Sequence, residues 1–195
     1  MAKLYFSYAA MNAGKSTILL QAAYNYRERG MDVLLLTSAL YRDAEDGHIS
    51  SRIGISAEAT LYTQDTDLFA LIETHKANGR LDAVFVDEAQ FLTKDQAWQL
   101  ARVADHLGLP VLAYGLRTDF RGELFEGSAA LLAIADNLRE VRTICECGRK
   151  ATMVVRLGPD GKALTEGDQI SIAKTTYVSL CRRHWEESMG RFPPR

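Results

Sequence analysis

The sequence predicts an α/β fold in which a parallel sheet is covered by crossover helices, over roughly residues 1–140. Short apolar runs, each of a length that suits one buried strand, alternate with segments whose apolar residues recur every three or four positions. A glycine follows three of the predicted helices, at Gly30, Gly79 and Gly108, and glycine is a common helix stop. This alternation is typical of parallel strands, because each helix returns the chain to the edge where the last strand began.

The same patterns give the boundaries of the elements. Continuous apolar runs, which indicate strands covered on both faces, predict strands at residues 4–8, 32–37, 81–87 and 109–114. Three- and four-residue apolar spacing predicts helices at residues 15–29, 68–78, 94–107 and 128–137. Asp67 suits the cap of the second helix, and Thr93 with Gln96 predicts a capping box at the third. Residues 38–66 are polar without clear period, so we expect a long loop with one short strand at most.

A phosphate-binding loop is predicted between the first strand and the first helix. The stretch Ala9-Ala10-Met11-Asn12-Ala13-Gly14-Lys15-Ser16 fits the pattern G-x-x-x-x-G-K-[ST] except at its first position. Backbone N–H groups of such a loop bind phosphate oxygens, Lys15 lies along the outer phosphates, and the Ser16 hydroxyl binds Mg²⁺. Ala9 replaces a glycine whose backbone angles alanine reaches only at a cost. A chance Gly-Lys-Ser at a helix start is the alternative interpretation.

Two adjacent acids, Asp87 and Glu88, end the third predicted strand. Ligands of open parallel sheets bind at the carboxyl ends of the strands, so both acids are expected beside the phosphate-binding loop. Asp87 suits Mg²⁺, directly or through water, and Glu88 suits a general base that takes a proton from the attacking nucleophile. If that nucleophile is water the protein is an ATPase, and if it is an alcohol the protein is a kinase. The alternative is a pair of ordinary surface acids.

A second, smaller unit is predicted at residues 141–195, where the character of the sequence changes. It holds all three cysteines, Cys145, Cys147 and Cys181, together with His184. Three thiolates and one imidazole suit a closed tetrahedral zinc site, and so small a unit gains stability from a metal. The C-x-C spacing is one residue shorter than the usual C-x-x-C, and buried or free cysteines are the alternative.

The loop after the fourth predicted strand mixes aromatic and charged residues. Leu116, Phe120 and Phe125 lie there close to Arg117 and Arg121. Aromatic side chains suit a pocket for a flat base, and arginines suit phosphate groups. A solvated loop with two anchoring phenylalanines is the alternative, and without the neighbouring motifs it is the better interpretation.

Composition limits the function classes. The chain has 195 residues, 47% of them hydrophobic, which is enough for one domain with a core plus a small appendage. A net charge of −2 gives no overall electrostatic case for a nucleic-acid partner. No apolar run approaches the roughly 20 residues of a membrane span, and the first strand starts so early that no signal peptide is expected. We therefore expect a cytoplasmic protein.

Taken together, these motifs resemble the type II thymidine kinases, cytosolic and tetrameric enzymes with a P-loop domain and a zinc-bearing lasso domain. The similarity spans residues 3–185, and its strongest stretches are residues 11–17, 86–92, 114–125, 147–151 and 177–184. The short C-x-C spacing is similar to that of the enterobacterial branch. The resemblance implies a P-loop NTPase-type nucleotide-binding domain at residues 1–140, a zinc-bearing lasso domain at residues 141–195, and a homotetramer.

The resemblance also implies an activity, the transfer of a phosphoryl group from ATP to the 5′-hydroxyl of thymidine, with Mg²⁺ and a structural Zn²⁺. Glu88 is then the base that deprotonates the hydroxyl. The nucleotide-binding residues are Ala9, Ala10, Met11, Asn12, Ala13, Gly14, Lys15, Ser16, Asp87, Glu88, Ala89 and Gln90. The thymidine-binding residues are Met11, Phe91, Leu116, Phe120, Phe125 and Tyr177. The metal ligands are Cys145, Cys147, Cys181 and His184 for zinc, and Ser16 and Asp87 for magnesium.

Two stretches depart from the family pattern. Residues 170–176, just before Tyr177, are one residue shorter than the family's lasso loop and lack its Gly-Gly pair. A family arginine that follows the second strand has two candidate counterparts, Arg42 and Arg52. Two other functions stay open from the sequence: a P-loop ATPase or switch with a zinc ribbon, and a nucleoside sensor with little turnover.

Overall fold

The computed structural model describes residues 1–40, 47–170 and 176–192. In chain order its elements are β1 (Leu4–Ala9), α1 (Lys15–Glu28), β2 (Val33–Ser38), β3 (His48–Ser50), β4 (Ser56–Glu58), β5 (Thr60–Tyr62), α2 (Leu68–Asn78), β6 (Ala83–Val86), a short 3-10 helix (Ala89–Phe91), α3 (Lys94–Leu107), β7 (Val111–Leu116), α4 (Glu126–Ile134), β8 (Asn137–Glu140), β9 (Thr143–Ile144), β10 (Lys150–Ala151), β11 (Met153–Leu157), β12 (Thr176–Leu180) and α5 (Arg182–Ser188).

Six strands form the main sheet, in the spatial order β5-β2-β6-β7-β1-β8. Every neighbouring pair in it is parallel, which confirms the predicted parallel sheet. Successive residues of a strand face opposite sides of the sheet: Leu36 and Val86 lie in one apolar core, and Leu35 and Phe85 lie in the other. Because both faces are covered, these strands appear in the sequence as continuous apolar runs.

The helices cover the two faces unequally. On one face α1 packs its Leu19 and Ala23 beside Ile49 of β3. On the other face α2, α3 and α4 contribute a larger core that includes Ile72, Leu100 and Leu131. Within the described ranges, every helix is too short or too polar to span a lipid bilayer.

The predicted helix caps are confirmed. The Asp67 carboxylate accepts a hydrogen bond from the Ala70 N–H at 2.9 Å at the start of α2. Thr93 and Gln96 form the reciprocal capping box of α3, and α3 ends at Gly108, whose φ of 67° is left-handed. The Gln96 amide also donates to the Thr63 carbonyl at 2.8 Å, so the cap holds the segment that precedes α2.

The prediction of one short strand at most between residues 38 and 66 is wrong. Strands β3 and β4 form an antiparallel hairpin, and β5 adds a parallel strand to the edge of the main sheet at β2. Tyr62 of β5 is only 1% exposed, so this part of the loop contributes to the core. Polar residues alternate within these short strands, so the pattern of apolar residues does not indicate strands at these positions.

The predicted bounds of the helix at residues 128–137 are also wrong, at both ends. Helix α4 begins at Glu126 and ends at Ile134, and Asn137 starts strand β8, which pairs in parallel with β1. The Asp136 carboxylate accepts a hydrogen bond from the Leu4 N–H at 2.8 Å, directly before this pairing begins. A polar segment that has no strand pattern of its own therefore pairs with the open edge of β1.

The chain after β8 forms small elements around its own apolar cluster. Strands β9 and β10 pair with each other, as do β11 and β12, both antiparallel. Their cluster contains Cys145, Ala151, Val155, Leu180, Cys181, Trp185 and Met189. The division of the chain at residue 140 stays a prediction.

Candidate active site

The loop between β1 and α1 leads directly into the start of a helix. Gly14 is the N-cap of α1 with a φ of 83°, and no side chain caps the helix, so the first N–H groups of α1 are available to an anion. Among the described residues other than glycine, only Asn12 and Glu88 have positive φ. Ala9 ends β1 in an ordinary strand conformation, and the missing glycine therefore causes no backbone strain at this position.

Two opposite charges are buried beside this loop. Lys15 is 8% exposed and Asp87 is 3% exposed. The Lys15 ammonium donates a hydrogen bond to the Ala10 carbonyl at 3.4 Å. The Asp87 carboxylate accepts hydrogen bonds from the Ser16 hydroxyl and, at 3.0 Å, from the Glu88 N–H. The phosphate-binding loop and the end of β6 therefore meet, as the sequence predicts.

Burial disturbs both charges. It lowers the pKa of Lys15, and the negative charges of Glu88 and Asp87 offset this only in part. Burial likewise raises the pKa of Asp87 against the hydrogen bonds from Ser16 and Glu88 and the charge of Lys15. Each charged form is thus incompletely stabilised. A phosphate group beside Lys15 and a cation beside Asp87 would supply the missing charges.

Glu88 is held by hydrogen bonds at its carbonyl and at its carboxylate. Its φ of 53° is left-handed, and its carbonyl accepts a hydrogen bond from the Tyr62 hydroxyl at 3.1 Å. The side-chain amide of Gln90 donates to the Glu88 carboxylate and accepts the Leu116 N–H at 2.9 Å. Gln90 is 2% exposed, and a Cβ at Gly115 would lie 2.9 Å from its backbone nitrogen. Glycine at 115 therefore lets β7 approach the residue that orients Glu88.

A cavity of about 500 Å³ opens above these residues. All six predicted thymidine-binding residues lie in its wall together with the phosphate-binding loop and both Glu88 and Gln90. The lining residues are Met11, Asn12, Ala13, Gly14, Lys15, Ser16, Thr17, Leu40, Ser50, Ser51, Arg52, Ile53, Glu88, Gln90, Phe91, Leu116, Thr118, Asp119, Phe120, Phe125, Val154, Gln169, Ile170 and Tyr177. One continuous space thus joins the predicted phosphate-binding loop to an aromatic pocket.

Four predicted nucleotide-binding residues lie behind this wall. Ala9, Ala10, Asp87 and Ala89 are buried and are not among the lining residues. Conversely, the wall contains residues that sequence reasoning missed, above all Val154. Val154 is the second residue of β11, where its apolar side chain gave no signal other than that of an ordinary strand residue.

The β3–β4 hairpin brings Arg52 into the cavity wall. The turn is closed by hydrogen bonds from the Ser51 N–H to the Ile55 carbonyl at 2.8 Å and from the Gly54 N–H to the Ser51 carbonyl at 3.0 Å. After burial, the larger cause, the positive charge of Arg52 contributes to the lowered pKa of Lys15. The other candidate arginine, Arg42, lies outside the described residues, as does most of the predicted lasso loop, residues 171–175.

The buried Asp119 organises the opposite wall. Its carboxylate accepts the backbone N–H groups of Arg121 and Glu123, both at 2.9 Å, and forms an ion pair with the Arg121 guanidinium at 3.1 Å. It also accepts the Gln169 amide at 3.2 Å. Asp119 therefore joins the loop after β7 to the residues that precede the undescribed part of the lasso.

The predicted zinc ligands come together. The ligand atoms of Cys145, Cys147, Cys181 and His184 all lie within 4.8 Å of one another. The sulfurs of Cys147 and Cys181 are 3.8 Å apart, and the Cys145 sulfur is 3.3 Å from Nδ1 of His184. Metal–sulfur bonds of about 2.3 Å in a tetrahedron need a sulfur–sulfur edge of about 3.8 Å. The short C-x-C spacing thus still allows a four-ligand zinc site.

The environment of the Cys145 thiol suits a thiolate ligand, whereas burial raises the pKa of Cys181. Burial raises the pKa of Cys145, but hydrogen bonds with the backbone of Cys147 and Cys181 and with the His184 side chain outweigh it and lower the pKa to about 6. A thiol that loses its proton this easily is ready to bind a metal ion at neutral pH.

Comparison with known proteins identifies the family of this chain. A family model described as thymidine kinase matches residues 2–185. The chain belongs to the thymidine kinase family. A thymidine kinase of Mesorhizobium japonicum is 64% identical over all of this chain and 96% of its own length. Thymidine kinases of Jannaschia sp. and Vibrio cholerae are 62% and 55% identical, over 99% and 98% of this chain and all of their own.

The cluster of three cysteines and one histidine gives a testable prediction. Elemental analysis of the purified protein should find about one zinc per chain, as four protein ligands imply. Replacement Cys147→Ser removes one ligand, so the bound zinc and the unfolding temperature should both fall.

The control for this measurement is His75→Gln, because His75 is an exposed histidine on α2. It should leave zinc content and unfolding temperature unchanged. Wild-type protein that folds fully without zinc would show that the four residues are not metal ligands.

Proposed function

We propose that the protein is a thymidine kinase that transfers the γ-phosphoryl group of ATP to the 5′-hydroxyl of thymidine, giving dTMP and ADP. One observation carries the proposal. The phosphate-binding loop, Glu88 and the aromatic pocket line one cavity, so a nucleotide's outer phosphate and a nucleoside's hydroxyl can meet beside the carboxylate.

The donor site consists of the loop and the buried charge pair. Backbone N–H groups at the start of α1 bind the phosphates, and Lys15 lies along the outer ones. Ser16 and Asp87, whose side chains already share a hydrogen bond, are the proposed Mg²⁺ ligands. When bound, Mg²⁺ neutralises charge on the phosphates. We assign Arg52 a supporting role as a positive charge in the cavity wall, close enough to Lys15 to lower its pKa together with burial, the larger cause.

Glu88 acts as the general base. Its carboxylate takes the proton of the 5′-hydroxyl as the oxygen attacks the γ-phosphorus, the bond between the γ-phosphorus and the bridging oxygen breaks, and ADP leaves. A base must keep a fixed direction toward the hydroxyl, and the amide of Gln90 supplies this by its hydrogen bond to the Glu88 carboxylate. Gln90 is therefore a positioning residue rather than a direct ligand of the nucleotide.

The acceptor site is the aromatic part of the cavity. Phe91 and Phe125 pack edge to face, with ring centroids 6.0 Å apart and an interplanar angle of 85°. Such rings, together with Leu116, Phe120 and Tyr177, suit a flat, largely apolar base. An apolar wall next to Glu88 favours an alcohol of a bound nucleoside over water as the nucleophile.

Further parts of the proposal come from the family. We propose a structural Zn²⁺ at Cys145, Cys147, Cys181 and His184, a homotetramer, and a cytoplasmic location. The four clustered ligand atoms support the zinc site.

The decisive experiment measures ADP release from Mg²⁺-ATP with and without thymidine. We expect ADP release to depend on thymidine and to match dTMP formation one to one, because the acceptor is the nucleoside. Equal ADP release without any nucleoside would instead make the protein an ATPase. Tight thymidine binding without dTMP formation would make it a sensor.

Glu88→Gln should lower kcat by about 10²- to 10⁴-fold, the usual contribution of a positioned general base. ATP binding, measured by calorimetry, should stay close to that of the wild type, because the loop and Lys15 are intact. Glu73→Gln, at an exposed position of α2, is the matched control and should change neither quantity. An unchanged kcat in Glu88→Gln would remove Glu88 as the base.

Gln90→Leu keeps the volume of the side chain but removes both of its hydrogen bonds, to Glu88 and to Leu116. We expect kcat to fall by about tenfold or more, because a misdirected base loses part of its effect. KM for ATP should hardly change. Gln21→Leu, at an exposed position of α1, is the matched control. A raised KM for ATP at normal kcat would show that Gln90 contacts the nucleotide itself.

A further inference from the structure

One indole nitrogen joins the zinc-ligand cluster to the wall of the cavity. Trp185 directly follows His184 on α5 and is 4% exposed. Its Nε1–H donates to two carbonyls, that of Phe120 at 3.0 Å and that of Val154 at 3.1 Å. Phe120 and Val154 both line the cavity, although they belong to the loop after β7 and to β11. A single donor therefore holds two separate pieces of the wall together.

The indole ring also has little room to move. A Cβ placed on Gly122 would lie 3.2 and 3.3 Å from two carbons of the ring. The loop after β7 thus approaches the tryptophan as closely as a glycine permits. Arg191 lies over another part of the ring, with its guanidinium carbon 4.7 Å from the ring centroid. These contacts fix the direction of the N–H bond toward the cavity wall.

Phe120 is held at its ring as well as at its main-chain carbonyl. The guanidinium carbon of Arg156 lies 3.9 Å from the centroid of the Phe120 ring, a cation–π contact. Arg156 is 4% exposed and donates to the Asp168 carbonyl at 2.8 Å. Phe120 is therefore held at both ring and carbonyl by residues that follow β8 in the chain.

The position of Trp185 depends in turn on the zinc ligands. Cys181 is the N-cap residue of α5, and its carbonyl accepts the Trp185 N–H at 3.0 Å. His184 precedes the tryptophan on the same turn. Two of the four predicted zinc ligands, Cys181 and His184, thus lie on the helical turn that carries the indole.

We propose that Trp185 is a positioning residue for nucleoside binding, through which the Cys145, Cys147, Cys181 and His184 cluster sets the positions of Phe120 and Val154. This inference rests on the proposed function, because it takes the aromatic part of the cavity as the nucleoside site. Zinc then contributes to acceptor affinity as well as to the stability of the C-terminal residues.

The test is Trp185→Phe, which keeps an aromatic ring but removes the donor. We expect KM and Kd for thymidine to rise on the order of tenfold, the cost of losing one well-placed hydrogen bond. Kd for ATP, kcat at saturating thymidine and zinc content should stay within about twofold of the wild type, since the phosphate-binding loop and the ligands are untouched. Thymidine Kd is measured by calorimetry and zinc by elemental analysis.

Trp98→Phe is the matched control. Trp98 lies on α3 and is 47% exposed, so its replacement should change neither substrate constant. This variant also leaves Trp185 as the sole tryptophan, because the chain has two. Thymidine should then change the fluorescence emission of Trp185. Removal of zinc with a chelator should both shift that emission and weaken thymidine binding.

Two results would overturn the inference while leaving the proposed function intact. One is a Trp185→Phe variant that binds thymidine as the wild type does, and the other is a variant that loses zinc and affinity for both substrates together, which indicates a general structural role. Failure of the proposed function looks different, because the wild-type protein itself would then neither bind nor phosphorylate thymidine.

Discussion

The burial of two opposite charges, Lys15 at the start of α1 and Asp87 at the end of β6, is the constraint on which the rest of the site depends. Parallel strands bring the start of α1 and the end of β6 to one edge of the sheet, and both charges lose most of their water there. Their mutual attraction and the Ser16 hydrogen bond compensate this loss only partly, as the pKa shifts of both groups indicate. Apolar cores on both sheet faces offset this cost, because they stabilise α1, which begins at Lys15, and β6, which Asp87 follows.

Much of the fold could be predicted because the relevant signals are local. Apolar runs reveal strands covered on both faces, and the Asp67 and Thr93 caps are short-range hydrogen bonds. The sequence could predict that the phosphate-binding loop and the acids after β6 lie close together, because parallel strands end at a common edge of the sheet. Strand β8 could not be predicted, since its polar residues pair only because β1 has an open edge. Val154 could not be predicted for a similar reason, because its place in the cavity wall depends on how the C-terminal residues pack against the loop after β7.

The C-terminal residues complete a pocket that the sheet alone leaves open. The Ser179 hydroxyl donates to the carbonyl of Met11, in the phosphate-binding loop. Asp119 holds Gln169 from the other side, and Trp185 and Arg156 hold Phe120. Residues after β8 thus support two parts of the cavity wall, the loop between β1 and α1 through Ser179 and the ring and carbonyl of Phe120 through Arg156 and Trp185.

Ala9 shows what the first position of a phosphate-binding loop needs in this protein. The residue ends a strand, is 3% exposed and has an ordinary backbone conformation. Because its φ lies outside the left-handed region, a residue other than glycine is accommodated there without backbone strain. A motif pattern that demands glycine at the first position therefore overlooks a chain such as this one. The glycine that the backbone requires is the one five positions later, Gly14, whose φ is 83°.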